Sequence, residues 1–202
     1  MTTLILVRHG ETDWNRDRRI QGATDVPLND TGRGQARDAA AALRATLDPA
    51  IPAVVVASDL ARARETSEII AAELGLDAPR LYPELRERGY GVAEGMSVDE
   101  YFEHWGDWHG TDDVPEAETR EDLRERALAG LAKVARDVRR ATAPGPASVI
   151  VVTHGALIRE VIRHASGGTL PLDGERLANA SAHTVLFERE RLRLLSYTPI
   201  AA

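Results

Sequence analysis

The chain has 202 residues, 43% of them hydrophobic, which suffices for one substantial core and is ordinary for a globular protein. It contains no cysteine, which excludes a disulfide framework, a thiolate metal site and a cysteine nucleophile; 32 acidic against 25 basic residues leave a net charge of −7, which argues against general affinity for nucleic acid or anionic membrane. No apolar stretch approaches the ~20 residues needed to span a bilayer, and the run after Met1-Thr2-Thr3 is too short for a signal-peptide core, so a cytoplasmic location is expected.

The first apolar run, Leu4-Ile5-Leu6-Val7, reads as a strand buried on both faces in the middle of a parallel sheet. It delivers Arg8, His9 and Gly10 to its carboxyl end, where open α/β sheets bind their ligands, and Gly10 lets the backbone turn close to that ligand. Residues 15–29, with Gln21-Gly22, show no sustained period and read as an ordered loop over the strand tip. Asn29 caps a helix whose first turn holds Asp30 and which continues through the Ala-rich stretch 34–47 until Pro49 and Pro52 end it. Residues 53–57 form a second buried strand. Ser58 then reads as the cap of a helix over 59–74 closed by Gly75, with Arg62 in the first turns, where free N–H groups and the helix dipole favour anions.

Residues 80–96 have few periodic apolar positions but hold Glu87, Tyr90 and three glycines, Gly89, Gly91 and Gly95, which suggest close backbone packing. Ser97 and Glu100 have capping-box spacing for a short helix over 98–105, followed by a loop over 106–115. Thr119 caps a longer helix with the apolar stripe Leu123, Ala127, Leu131, Val134 and Val138. A third buried strand, 148–153, ends in His154-Gly155 before an amphipathic helix to about residue 165. Runs 183–187 and 192–197 read as strands joined by a tight charged turn. This alternation predicts an α/β fold, three layers α/β/α with a largely parallel central sheet, in one domain over 1–202 with a short pocket-covering insertion at about 97–118.

Strand ends of one parallel sheet converge, so His9, His154, Arg8 and Arg62 can meet. A neutral imidazole attacks phosphorus once guanidiniums neutralise the phosphoryl oxygens, which describes phosphoryl transfer through a phosphohistidine, with Glu87 as the candidate proton donor. Glu11 and Glu94 read as structural hydrogen-bonding groups. His104 and His109 with Asp107, Asp112 and Asp113 have weak metal-ligand spacing, and no metal is expected. Trp105 and Trp108 fit either a core or a pocket wall. Neither a Walker-type loop nor a GxGxxG fingerprint is present.

The stretch 6–15 resembles the signature of the histidine phosphatase superfamily, which includes cofactor-dependent phosphoglycerate mutase. The similarity continues in order through Gln21-Gly22, Pro27-Leu28, Gly32, Gln35-Ala36, Ser58-Asp59-Leu60, Arg62-Ala63, Thr66, 85–91, Glu94-Gly95, Glu118-Thr119, 152–155 and Asn179-Ala180-Ser181. The resemblance implies a phosphoglycerate mutase-like fold, His9 as the phosphorylated nucleophile, Arg8, Asn15, Arg62 and His154 holding the phosphoryl group, and Glu87 as acid and then base. Gln21, Gly22, Tyr90 and Gly155 fall within the matching motifs and complete the expected phosphate and substrate site. No metal or cofactor is implied, and the partner is a small phosphorylated substrate. Some members carry Asp directly after the second histidine as proton donor; Gly155 stands there, so the donor role stays with Glu87.

The mutases resembled carry a longer insertion with paired arginines that grip a second phosphate. Here the segment from Met96 to Glu118 has no Lys or Arg, so only the His9 end of the pocket is expected to be basic. Metal-independent phosphomonoester hydrolysis is therefore favoured, with a cofactor-dependent mutase and an inactive phosphate-ligand-binding regulator as the alternatives.

Overall fold

Thr2–Arg8 forms strand β1 in the computed structural model, which describes residues 2–106, 113–172, 174–188 and 191–198. Leu4, Leu6 and Val7 are fully buried, because the strand lies inside a six-stranded sheet. The other strands are β2 (Ala53–Ala57), β3 (Arg80–Leu81), β4 (Ser148–Thr153), β5 (Ala182–Glu188) and β6 (Arg191–Ser196), in the spatial order β3-β2-β4-β1-β5-β6. Neighbours from β3 to β1 are parallel, whereas β5 and β6 are antiparallel. The sheet is thus mostly parallel, as read from the sequence, but β1 has a parallel partner on one side only.

The helices are α1 (Asp13–Arg16), α2 (Asp30–Thr46), α3 (Ala61–Leu74), α4 (Val98–Trp105), α5 (Arg120–Thr142) and α6 (Gly155–Ala165). Alternate residues of a strand face opposite sides, and the core divides accordingly. Leu4, Leu6, Val149 and Val151 pack with the α5 stripe Leu123, Ala127, Leu131, Val134 and Val138 and with Leu157, Ile158, Val161 and Ile162 of α6. Val7, Val55, Ile150 and Val152 pack on the other face with Ala39, Ala40 and Leu43 of α2 and Ala63, Ile70 and Ala71 of α3. Each helix pair covers one face, which makes three layers. No helix among the described residues is long and apolar enough to cross a membrane.

Two helix starts differ from the sequence reading. α3 begins at Ala61 with Leu60 as its N-cap residue, and Leu60 makes no side-chain cap hydrogen bond. Ser58 instead accepts from Leu60 N at 3.3 Å, and Asp59 is taken by Arg86 at 2.7 and 2.5 Å. The donor on Ala61 is met from a distance by Asp25 Oδ1 at 2.6 Å. α1, which overlaps only the start of the run read as loop, closes through a capping box between Thr12 and Asn15. One four-residue turn is too short to register as a period.

Close backbone contact sets the angle at which β1 delivers His9. A Cβ on Gly10 would lie 2.4 Å from Gly32 O, and one on Gly32 would lie 2.1 Å from Glu11 O, so any side chain here would force β1 and the start of α2 apart. Gly91, at φ +53°, would place a Cβ 2.1 Å from Pro115 O. That contact docks the 97–118 segment, where Tyr101 and Val114 form a third cluster with Ile20 and Ala93. Trp105 packs in this cluster, 5.3 Å from the Tyr101 ring, and His104 Nδ1 donates to Glu100 O of its own helix turn at 2.8 Å. Asp107, Trp108, His109 and Asp112, like the turn read between the last two strands, lie outside the described residues.

Candidate active site

β1 ends beside β4, and His9 N donates to Thr153 O at 2.9 Å, which fixes the backbone of the first histidine. His9 Nδ1 is 2.6 Å from Gly10 O. A carbonyl only accepts, so Nδ1 carries the hydrogen and Nε2 is left with its lone pair. Burial, then the Arg62 and Arg8 guanidiniums, push the His9 pKa well below its ordinary value. The imidazole is therefore neutral at neutral pH and able to act as a nucleophile.

Arg8 and Arg62 flank it by different means. Arg8 Nη1 donates to Leu177 O at 2.5 Å, and a Cβ on Gly155 would sit 3.4 Å from Arg8 Nε, so Gly155 leaves the room this guanidinium occupies. Arg62 is fully buried in the first turn of α3 and donates to Thr24 O at 2.8 Å and Gly22 O at 2.7 Å. The loop carrying those carbonyls is held by Glu94, which accepts from Ala23 N, Thr24 N and Tyr90 N at 2.8 to 3.0 Å. Gly22, at φ +53°, has no space for a Cβ beside that carboxylate. Glu94 is thus structural, as read, and so is Glu11, which accepts from Asn29 Nδ2 at 2.9 Å.

Asn15 Oδ1 accepts from Thr12 N at 3.1 Å and Asn179 Nδ2 at 3.3 Å, and Gln21 Oε1 lies 3.0 Å from the Thr12 hydroxyl. Both amides are anchored by oxygen while bordering the cavity described below. Asn179 also donates to His9 O at 3.1 Å, which makes it a support of the first histidine. Only its place in the matching motifs pointed to it.

His154 lies behind His9, with ring centroids 5.2 Å apart. It is fully buried, and both ring nitrogens lack a hydrogen-bond partner among the described residues. Burial, then Arg62, His9 and Arg8, hold its pKa well below the ordinary value. Glu87 reaches the site from the segment after β3. Its Oε2 accepts from Ala156 N at 3.1 Å, and Oε1 from Leu157 N at 3.2 Å and Arg88 N at 2.9 Å. His154 offers α6 no side-chain cap, so this distant carboxylate meets the orphan donors of the helix start.

These groups border or underlie a cavity of about 670 Å³, lined by Arg8, His9, Asn15, Gln21, Gly22, Arg62, Glu87, Tyr90 and Gly155 of the predicted set; His154 alone of that set is set back from it. Burial, then Glu87, raises the Tyr90 pKa, so its hydroxyl stays protonated. The cavity wall holds more arginine than the sequence reading counted. Arg18, Arg19, Arg88, Arg120, Arg159 and Arg176 also line it, brought from the 15–29 segment, the segment after Glu87, both helices of one layer and the run before Asn179. Arg120 is paired with Glu160 at 2.6 Å and Arg18 with Asp99 at 3.2 Å, whereas among the described residues Arg159 donates only to the backbone Glu175 O at 2.5 Å. Arg176 has no hydrogen bond or ion pair among the described residues. The 97–118 segment contributes Val98 and Phe102 to the wall, and Trp105 is core rather than wall.

The profile of the Histidine phosphatase superfamily (branch 1) matches residues 4–199. The chain belongs to this superfamily. The histidine phosphatase chain is 38% identical over 198 residues to the "Uncharacterized phosphatase PhoE" of Bacillus subtilis (strain 168), covering 98% of this chain and 94% of that one. It is 37% identical over 183 residues to the "Probable phosphoglycerate mutase GpmB" of Enterobacter sp. (strain 638), covering 87% and 79%. Among solved structures, the mycobacterial glucosyl-3-phosphoglycerate phosphatase Rv2419c bound to VO3 superposes with a TM-score of 0.77 at 26% identity, covering 98% of this chain and 99% of that one. The three-layer arrangement is the phosphoglycerate mutase-like fold of these enzymes.

The neutral histidines of the histidine phosphatase site affect stability. His9 and His154 are held well below the ordinary histidine value, and burial lowers His183 to about 4. In the unfolded chain all three would bind a proton near pH 6.5. Their contribution is fully present above that pH and is lost as pH falls toward 4, with a slope of up to about 1.4 kcal/mol per pH unit for each histidine. Urea unfolding at pH 7, 6 and 5 should show this decline, and His183→Gln should remove about one proton from the uptake on unfolding at pH 5. An unchanged slope in that variant would mean that His183 is protonated in the folded protein.

Proposed function

We propose that this enzyme hydrolyses small phosphomonoesters through a phosphohistidine on His9 Nε2. The observation that carries the reading is the Nδ1 contact of His9 with Gly10 O at 2.6 Å in a neutral ring beside two buried guanidiniums. Arg8 and Arg62 neutralise the phosphoryl oxygens, the amides of Asn15 and Gln21 donate from one side, and His154 completes the nest from behind. The His9 Nε2 lone pair attacks phosphorus, the ester P–O bond breaks, and Glu87 gives its proton to the leaving oxygen. Glu87 then takes a proton from the water that attacks the phosphohistidine, which releases phosphate and restores His9.

Three carboxylates border the cavity among the described residues, and two are committed elsewhere. Glu160 is bound by Arg120, and Glu175 accepts from Tyr197 Oη at 2.8 Å and Leu172 N at 2.7 Å. Glu87, whose oxygens accept from the backbone N–H groups of Ala156, Leu157 and Arg88, has no ion pair among the described residues. Arg159 and Arg176 favour a substrate whose leaving group carries a second negative charge. A relative in fold, Rv2419c, is named for a phosphorylated acid, which supports the same class.

A mutase must keep water from its phosphoenzyme while the intermediate reorients. A cavity of about 670 Å³ is larger than a phosphoglycerate needs and leaves room for water, which supports hydrolysis. Incubation with 3-phosphoglycerate and 2,3-bisphosphoglycerate in EDTA should release inorganic phosphate with little 2-phosphoglycerate. Isomerisation well ahead of phosphate release would overturn the hydrolase reading in favour of the mutase, and a requirement for added divalent ion would overturn the charge assignment to Arg8 and Arg62.

A further inference from the structure

Glu87 is held from two directions, and only one of them is its carboxylate contact with α6. The other is Arg126 of α5. Its Nε donates to Glu118 Oε1 at 2.7 Å and its Nη2 to Glu118 Oε2 at 2.7 Å; Nη1 donates to Glu84 O at 3.0 Å and Arg86 O at 2.9 Å, and Nη2 also to Glu87 O at 3.2 Å. A guanidinium has five N–H donors, and all five are used. Glu118 in turn fixes the far side of the same segment. Its N donates to Gly89 O at 2.9 Å, and its O accepts from Arg88 Nε at 2.7 Å.

Residues 86–90 lie between two 3₁₀ turns, Pro83–Leu85 and Gly91–Ala93, with no strand ladder or helix to fix their carbonyls. A proton donor must nevertheless sit within hydrogen-bond reach of the leaving oxygen. We propose that Arg126 and Glu118 are positioning residues that hold the Glu87 backbone so that its carboxyl meets the leaving group. Neither borders the cavity, so neither touches substrate. The proposal rests on the reading of Glu87 as the acid. A lysine has three donors on one nitrogen and cannot serve a carboxylate and three carbonyls at once.

A role in stability alone would slow every substrate alike. Positioning of an acid affects poor leaving groups most. Arg126→Lys should slow phosphoenzyme formation in single turnover by about tenfold or more for an alkyl phosphate and by less than about threefold for p-nitrophenyl phosphate, with little change in KM. In the Glu87→Gln background the same substitution should add no further selective loss, because both act through one group. Glu118→Gln, which keeps shape and an acceptor, should give a smaller selective loss and serves as the readout if Arg126→Lys does not fold. Equal slowing of both substrates by these variants, while Glu87→Gln alone discriminates between them, would overturn the positioning role and leave the acid in place. No discrimination by Glu87→Gln would overturn both.

Discussion

His9→Ala should abolish the phosphoenzyme and lower phosphatase turnover by at least about 10³-fold, the scale expected when a covalent nucleophile is removed. Among the described residues no other imidazole borders the cavity. His154 lies behind His9, away from the cavity, and His183 is fully buried with its Nδ1 accepting from Thr198 N. The loss should be chemical rather than structural, because the His9 anchors to Thr153 O and Asn179 are backbone contacts that alanine retains. Labelling with a phosphorylated substrate under an alkaline detergent quench, which preserves phosphohistidine, alongside circular dichroism, reads both. A folded His9→Ala protein that still accumulated acid-labile phosphoenzyme would move the nucleophile elsewhere.

Glu87→Gln should discriminate between leaving groups. An alkoxide departs poorly without a proton, whereas p-nitrophenolate is a weak base and gains less from one. Glutamine keeps an oxygen for the N–H groups of Leu157 and Arg88, loses the acceptor that Ala156 N uses, and has no acidic proton to give. Phosphoenzyme formation from an alkyl phosphate should therefore fall about tenfold further than that from p-nitrophenyl phosphate. Single-turnover measurement isolates this step, since water attack on the phosphohistidine uses Glu87 as base whichever substrate came before. Equal slowing of the first step for both substrates would place the acid elsewhere in the pocket.

What a single strand or helix specifies locally was legible in the chain. Four adjacent branched residues predict β1, Ser97 with Glu100 predicts α4 to its observed bounds, and the spacing of Leu123, Ala127, Leu131, Val134 and Val138 predicts the buried face of α5. The convergence of His9, His154, Arg8 and Arg62 followed from strand tips of one sheet ending on the same side. Contacts between distant segments were not legible, because composition and period carry no information about which loops meet. Asp25 caps α3 across 36 positions, and Glu87 caps α6 across about 70. The second basic group of the cavity was missed for the same reason. The insertion that a mutase would use holds no arginine, whereas Arg120, Arg159 and Arg176 line the cavity from positions spread along the chain.

The place of β1 in the sheet bears on how the enzyme is made. The strand that carries His9 precedes both of its partners in the chain, yet Thr3 pairs with Ser148 and Thr2 with Phe187. Neither neighbour exists until β4 and β5 have been synthesised, so the Leu4-Ile5-Leu6-Val7 run must wait, unpaired and apolar, while the residues between are made. Contacts this distant in sequence close slowly, and an early apolar strand is exposed to aggregation in the interval. Arg8 is fastened by Ser181 O and His9 by Thr153 O, so a chain truncated before β5 lacks the group that fastens Arg8. The catalytic centre thus assembles as a late event of folding, and premature termination yields inert fragments rather than partly active ones.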